Sequence, residues 1–278
     1  MSKSNYPHIG FIGAGNMASA LAGGLRAQGW PADHIWLSDP HAGQLAGHAE
    51  AGCRTTQDNA LLAKSVDLLV LSVKPQVMAD VLRPLAAAVQ KRRPLVLSIA
   101  AGIPADSLSR WLGGDVAIVR AMPNTPALVQ TGAAGLYANT LVDEAQRRLA
   151  EQVMGAVGLS LWVEQEELID AVTAVSGSGP AYFFYVMEAM IAAGVRLGLD
   201  ERDARALTLQ TALGAAQMAI TSDVDPAELR RRVTSPNGTT ERAVQVFDAA
   251  DLNAIFQRAL KACADRGAEM ALQLGAAD

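Results

Sequence analysis

The chain has 278 residues, 50% of them apolar and 18% charged, with a formal net charge of −5. That length accommodates two domains, and the acidic balance argues against a general nucleic-acid binder, which carries a basic surface. The two cysteines, Cys53 and Cys263, stand far apart in no metal-like spacing, which argues against a disulfide scaffold or a cysteine-based zinc site.

The first seven residues are polar and lack the apolar core of a secretory signal. Together with the cysteine usage this predicts a cytoplasmic protein without a metal centre. Residues 8–12 read as a strand and 16–28 as a helix. A strand at 35–38 and short helices at 44–50 and 59–63 follow. Residues 68–73 are apolar on both sides, as in the middle of a parallel sheet. A helix is expected over 77–90, strands over 95–99, 116–120 and 134–137, a helix over 143–157 and a closing strand over 161–163. Strands alternating with helices predict a doubly wound α/β domain.

Beyond residue 164 the pattern turns helical, over 166–173, 180–197, 201–221, 226–232, 240–249 and 252–272. Asp200 and the pair Asp225-Pro226 are helix-start signals. The predicted organisation is an α/β dinucleotide-binding domain over 1–164 and an all-α domain over 165–278. The helical half is rich in Ala and Leu, which suits packing against a copy of itself. Its most apolar stretch, 181–195, is interrupted by Glu188 and falls short of the roughly 18–20 residues of a membrane span. It reads as a helix buried on most sides, at a subunit interface.

Gly13-Ala14-Gly15-Asn16-Met17-Ala18 follows the first strand and opens the first helix, the G-x-G-x-x-G/A arrangement. Gly13 permits the tight turn, Gly15 lets a pyrophosphate approach the backbone, and Ala18 keeps helix and strand close. The helix N-terminus then offers free N–H groups and partial positive charge. An acidic residue ending the second strand holds ribose hydroxyls and repels a 2′-phosphate, so Asp39 favours NAD. Ser38 offers a hydroxyl to a phosphate instead, and Asp39 serves equally well to start the next helix. The cofactor choice stays open at this level.

Ligands of open α/β sheets lie beyond the carboxyl ends of the strands. Val73-Lys74-Pro75 and Ser98-Ile99-Ala100-Ala101-Gly102 end strands there, the second with small side chains that leave room for a flat ring. Arg120-Ala121-Met122-Pro123-Asn124-Thr125-Pro126 follows another strand, its turn fixed by two prolines. All four histidines, His8, His34, His41 and His48, lie near the start of the chain. Alcohol or ketone chemistry commonly needs a His or Lys acid/base. An imine lowers that demand, because its nitrogen can be protonated before hydride arrives, leaving positioning and exclusion of water as the main tasks.

Two segments of the helical half stand out. In Asp170-Ala171-Val172-Thr173-Ala174-Val175-Ser176-Gly177-Ser178-Gly179-Pro180 the Ser/Gly run breaks a helix and Pro180 starts the next. Val233-Thr234-Ser235-Pro236-Asn237-Gly238-Thr239-Thr240 places a polar loop at a helix start, a natural carboxylate site. Each also reads as a capped helix–helix connection.

Together with Ile9-Gly10-Phe11-Ile12-Gly13-Ala14-Gly15-Asn16-Met17, Val73-Lys74-Pro75 and the Arg120–Pro126 segment, these loops closely resemble the pyrroline-5-carboxylate reductase family over nearly the whole chain. The resemblance implies a Rossmann-type N-terminal domain and a helical dimerisation domain. It implies interlocked dimers that assemble further, with each active site drawn from two chains. The implied reaction is hydride transfer from NAD(P)H to the C=N carbon of 1-pyrroline-5-carboxylate, giving L-proline, with NADPH commonly preferred over NAD cofactors. By the same resemblance Gly13, Gly15, Asn16, Met17, Ser38, Asn59, Val73, Lys74, Pro75, Ala100 and Gly102 fall where the cofactor binds. Ser235, Gly238, Thr239 and Thr240 match the substrate-carboxylate loop, and Thr173 matches a threonine that hydrogen-bonds the imine nitrogen. Asn237 departs from the family, which more often has glycine there; Asn tolerates a left-handed backbone better than most residues.

Two other readings are weaker. A reductase of β-hydroxyacids needs a lysine facing the nicotinamide, and Lys261, near the C-terminus, is the only lysine of the helical half. A non-catalytic dinucleotide sensor calls for an effector module, and no segment reads as one.

Overall fold

A computed structural model describes residues 6–275. Among these residues eight strands form one sheet: β1 (Ile9–Ile12), β2 (Ile35–Ser38), β3 (Arg54–Thr56), β4 (Leu68–Leu71), β5 (Leu95–Ser98), β6 (Ile118–Met122), β7 (Gly132–Ala138) and β8 (Gly158–Trp162). Their order is β3-β2-β1-β4-β5-β6-β7-β8. The first six run parallel, while β7 is antiparallel to β6 and parallel to β8. The strand order reverses at β1/β4, and in such sheets the ligand crevice opens at that point, beyond the strands' carboxyl ends.

Alternation along the strands makes both faces apolar. In β4, Leu68 and Val70 join one core cluster with Phe11, Leu21, Leu25 and Leu37. Leu69 and Leu71 join a second, with Leu62, Met78, Val96 and Ile118. Each fully buried side chain of this size stabilises the fold by about 1.5–3 kcal/mol relative to exposure. The covering helices are α1 (Asn16–Ala27), α2 (Ala42–Glu50), α3 (Asn59–Ser65), α4 (Met78–Leu82), α5 (Ala86–Arg92), α6 (Ala105–Trp111) and α7 (Glu144–Gly155).

Several details differ from the sequence reading. The helix expected over 77–90 is split into α4 and α5 by a 3-10 turn at Arg83–Leu85, because Pro84 lacks an N–H and cannot continue an α-helix. Strand β3 and helix α6 were not expected. The helix expected from residue 166 starts as α8 (Leu168–Val172) and then widens into a π-helical turn, Thr173–Gly177. The Ser/Gly run is therefore mostly helical, and the chain bends only at Ser178 before α9 (Gly179–Arg196).

Helices α10 (Glu201–Thr221), α11 (Pro226–Arg232), α12 (Thr239–Ala249) and α13 (Leu252–Gly275) complete the chain. By compactness the chain divides into two units, Met1–Ser178 with Ala262–Asp278, and Gly179–Lys261. The division thus falls after Ser178, not after residue 164, and α13 contributes to both units. The helical unit builds almost no core of its own: α11, α12 and α13 bury no residue, and Phe183, Phe184 and Tyr185 of α9 are 68%, 62% and 73% exposed. The apolar helix expected to be buried on most sides is thus open within one chain. Apolar surface of this extent marks an association face.

Two histidines near the sheet are held neutral. His8 stacks on His34 with ring centroids 4.2 Å apart. Burial, and next the His34 ring, keep its pKa below 6.5. His48 lies 3.0 Å from Ser19 Oγ, and burial, then Arg26, lower its pKa as well. Lowered native values mean that the unfolded chain binds more protons just below pH 6.5, so this stability is complete above 6.5 and is lost as pH falls through the native values. The thermal midpoint is expected to drop between about pH 7.5 and about pH 5.5, and a His8→Asn, His48→Asn double variant to drop less. An equal drop in both proteins would show that other groups set the acid sensitivity.

Candidate active site

The glycine turn sits at the end of β1. Gly13 has φ +94°, and a Cβ there would stand 2.9 Å from the Ser72 carbonyl oxygen. Both facts require glycine. Its N–H donates to Ser38 O at 2.7 Å, which ties the turn to β2. Gly15 is different: its φ is −74°, and a Cβ would meet nothing within 4 Å. The space above Gly15 is open, and it caps α1 without any side-chain hydrogen bond, so the first amides of the helix are free to meet an anion. Asn16 is exposed beside it, and Met17 packs back on the core. This cradle fits a dinucleotide pyrophosphate.

At the end of β2 the Ser38 hydroxyl donates to Asn59 Oδ1 at 2.6 Å, joining two sequence-predicted cofactor residues. Asp39 is fully engaged. Its Oδ2 accepts the Ala14 N–H at 3.1 Å, and its Oδ1 accepts the His41 N–H at 2.9 Å. Burial pushes this carboxyl up, but the hydrogen bonds from the His41 and Ala14 amides outweigh it and hold Asp39 below the usual carboxylate range. Asp39 is therefore a strut of the phosphate turn. The sequence reading did not reveal that role, nor that of Ser72, whose hydroxyl lies 2.8 Å from Ile12 O and 2.7 Å from Gly13 O.

After β4, Val73 packs on the second core cluster, Lys74 is exposed and Pro75 begins a 3-10 turn. After β5, Ala100 is 9% exposed, and Gly102 has φ +69°, with Met270 Cβ only 3.0 Å from where its own Cβ would be. Gly102 is thus also required by the packing of α13. Past the end of β6, Asn124 Nδ2 donates to Ser176 O at 3.0 Å, and Asn124 Oδ1 accepts the Ala133 N–H at 2.9 Å. The asparagine pins the π-turn to the same sheet edge. Thr173 opens that turn, and its hydroxyl donates to Ile169 O at 2.7 Å. Its only proton is then committed, and what remains on the oxygen is acceptor capacity. Single π-turns of this kind occur often at functional sites.

The remaining candidates lie in the helical unit. Ser235, Thr239 and Thr240 are exposed, and Gly238 caps α12 without a side-chain hydrogen bond, leaving amides at the helix start for a carboxylate. Asn237 has φ +57°, which accounts for the suitability of glycine there and the tolerance of asparagine. Its N–H donates to Glu241 Oε2 at 2.9 Å, a brace across the loop that the sequence reading missed.

Fold and turn together define an NAD(P)H-dependent oxidoreductase of two-part architecture. Residues 8–102 match the family described as NADP oxidoreductase, coenzyme F420-dependent, and residues 166–270 match pyrroline-5-carboxylate reductase dimerisation. The pyrroline-5-carboxylate reductase of Pseudomonas aeruginosa is 57% identical over 270 residues, 97% of this chain and 98% of its own. The structure of the Coxiella burnetii pyrroline-5-carboxylate reductase superposes with a TM-score of 0.92 at 43% identity, over 96% of this chain and 99% of that one. That of the Plasmodium falciparum pyrroline carboxylate reductase with NADP bound gives 0.84 at 27% identity, over 95% and 98%. The chain belongs to the pyrroline-5-carboxylate reductase family, NAD(P)H-dependent oxidoreductases of the final step of proline biosynthesis. The match to the dimerisation family supports a homodimer, as the exposed apolar helices require. Among the described residues no helix is long and apolar enough to cross a membrane.

Proposed function

We propose that the chain reduces 1-pyrroline-5-carboxylate to L-proline in the cytoplasm, as an interlocked homodimer able to assemble further, with NADPH preferred over NADH. Residues 1–164 form its cofactor half, and residues 165–278 its substrate and dimerisation half. The observation that carries this reading is the polarity of Thr173. With its proton given to Ile169 O, the hydroxyl accepts a hydrogen bond but offers none, which suits the N–H of a protonated imine.

The bound nicotinamide supplies hydride to the imine carbon. Gly13 and Gly15 position the pyrophosphate on the start of α1, and Ser38 and Asn59 border the adenosine side. Val73, Lys74, Pro75, Ala100 and Gly102 line the approach to the ring. Thr173 orients the nitrogen, which takes up the C=N π pair as the carbon gains its hydrogen. Ser235, Gly238, Thr239 and Thr240 hold the carboxylate on the amides of α12. Positioning of this kind, and not an acid or base, lowers the barrier.

The test is oxidation of NADPH and NADH with 1-pyrroline-5-carboxylate. Turnover with both is expected, with kcat/KM higher for NADPH. No turnover of the imine with either cofactor would sink the reading. A preference for NADH of about tenfold or more, worth about 1.4 kcal/mol, would sink the cofactor choice alone.

A further inference from the structure

We propose that His41 is the cation that receives the 2′-phosphate of NADPH, and that Asp39 locks the ring for that task. This rests on the dinucleotide-binding part of the proposed function. In Rossmann-type sheets the acid ending the second strand holds the ribose 2′-hydroxyl, and a cation nearby accommodates a 2′-phosphate. Asp39 stands at that position, but both its oxygens are occupied by the Ala14 and His41 amides. The group beside it that faces solvent is His41, with its side chain 82% exposed against 14% for Asp39.

The ring chemistry follows from the contact. His41 Nδ1 lies 3.2 Å from Asp39 Oδ1. An ionised carboxylate only accepts, so Nδ1 carries the proton of this hydrogen bond. In the neutral ring Nε2 is then a bare lone pair, which repels a phosphate. Only the imidazolium donates from Nε2. Recognition of the 2′-phosphate by His41 therefore requires proton uptake.

The neighbouring elements bring no competing cation to His41. Arg54 of β3 lies over the Trp36 ring, 5.0 Å from its centroid. From the start of α3, Asp58 has its carboxylate on the Ala60 and Leu61 amides. Gln57 donates to Pro40 O and is uncharged. The glycine turn contributes backbone only. Asp39 is the one charged group in contact with the ring.

The experiment is calorimetric titration of the full chain with 2′,5′-ADP and with 5′-AMP, at about pH 7 and about pH 9, where the phosphate is already largely ionised. The wild type is expected to favour 2′,5′-ADP and to lose about tenfold of that selectivity at the higher pH. His41→Ala lowers the selectivity about tenfold at pH near 7, and His41→Arg restores it without the pH dependence. Unchanged selectivity in His41→Ala, or the same pH dependence in His41→Arg, overturns the proposal. Selective, His41-dependent binding in a protein that turns over no imine leaves this assignment standing and removes the reductase reading instead.

Discussion

Replacing Gly15 by Val is expected to weaken NADPH binding about a hundredfold while the fold survives. The two halves of that expectation have separate causes. The backbone at Gly15 has φ −74°, open to any residue, and nothing lies within 4 Å of an added Cβ, so the chain accommodates the new side chain. Loss of a good helix N-cap costs about 1 kcal/mol, a small fall in melting temperature. The space that the valine fills is the approach to the free amides of α1. Hydrogen bonds to a charged group contribute about 1.5–3 kcal/mol each, so two lost contacts give roughly the hundredfold. Fluorescence titration with NADPH, with circular dichroism as the control, measures both halves. Unchanged affinity would mean that this turn does not hold the cofactor. Gly13→Ala is a poorer test, since φ +94° and the 2.9 Å approach to Ser72 O distort the turn itself.

The same contrast between local and distant causes separates what was legible in the sequence from what was not. β4, α10 and α11 stand out because their signals are local: an unbroken apolar run, a long helical period, and an Asp-Pro start. The glycine turn is equally local. Strand β3 is three residues, Arg54-Thr55-Thr56, with no apolar run. It exists through its pairing with β2, where Arg54 also covers Trp36. The π-turn is another distant product, fixed by Asn124 from the neighbouring loop. Asp39 is the sharpest case. Its rank as a ribose acid follows from position alone, whereas its engagement depends on Ala14, 25 residues earlier, and no spacing rule reports that. The substrate loop was legible because its left-handed residue and helix start are local, but the Glu241 brace was not, since Glu at the first turn also reads as ordinary helix-dipole pairing.

Thr173→Val and Thr240→Val should fail in different ways. Val keeps the shape of Thr and removes the hydroxyl. At position 173 the lost group accepts from the protonated nitrogen, an interaction that orients the carbon for hydride. The turnover number should fall about tenfold to a hundredfold, the worth of one hydrogen bond to a charged group, without reaching zero, because no acid is lost. The bond to Ile169 O also goes, but that carbonyl lies in the helical turn, so the fold should hold. Thr240 lies in the first turn of α12, whose free amides meet the carboxylate in both ground and transition states. Loss of its hydroxyl should raise KM for the imine about tenfold with little change in turnover. A change in KM alone removes uniform binding, whereas a fall in turnover removes transition-state stabilisation. Steady-state kinetics of both variants under saturating NADPH distinguish the two. Wild-type behaviour in both would move the substrate site elsewhere and leave the helical half with subunit association alone.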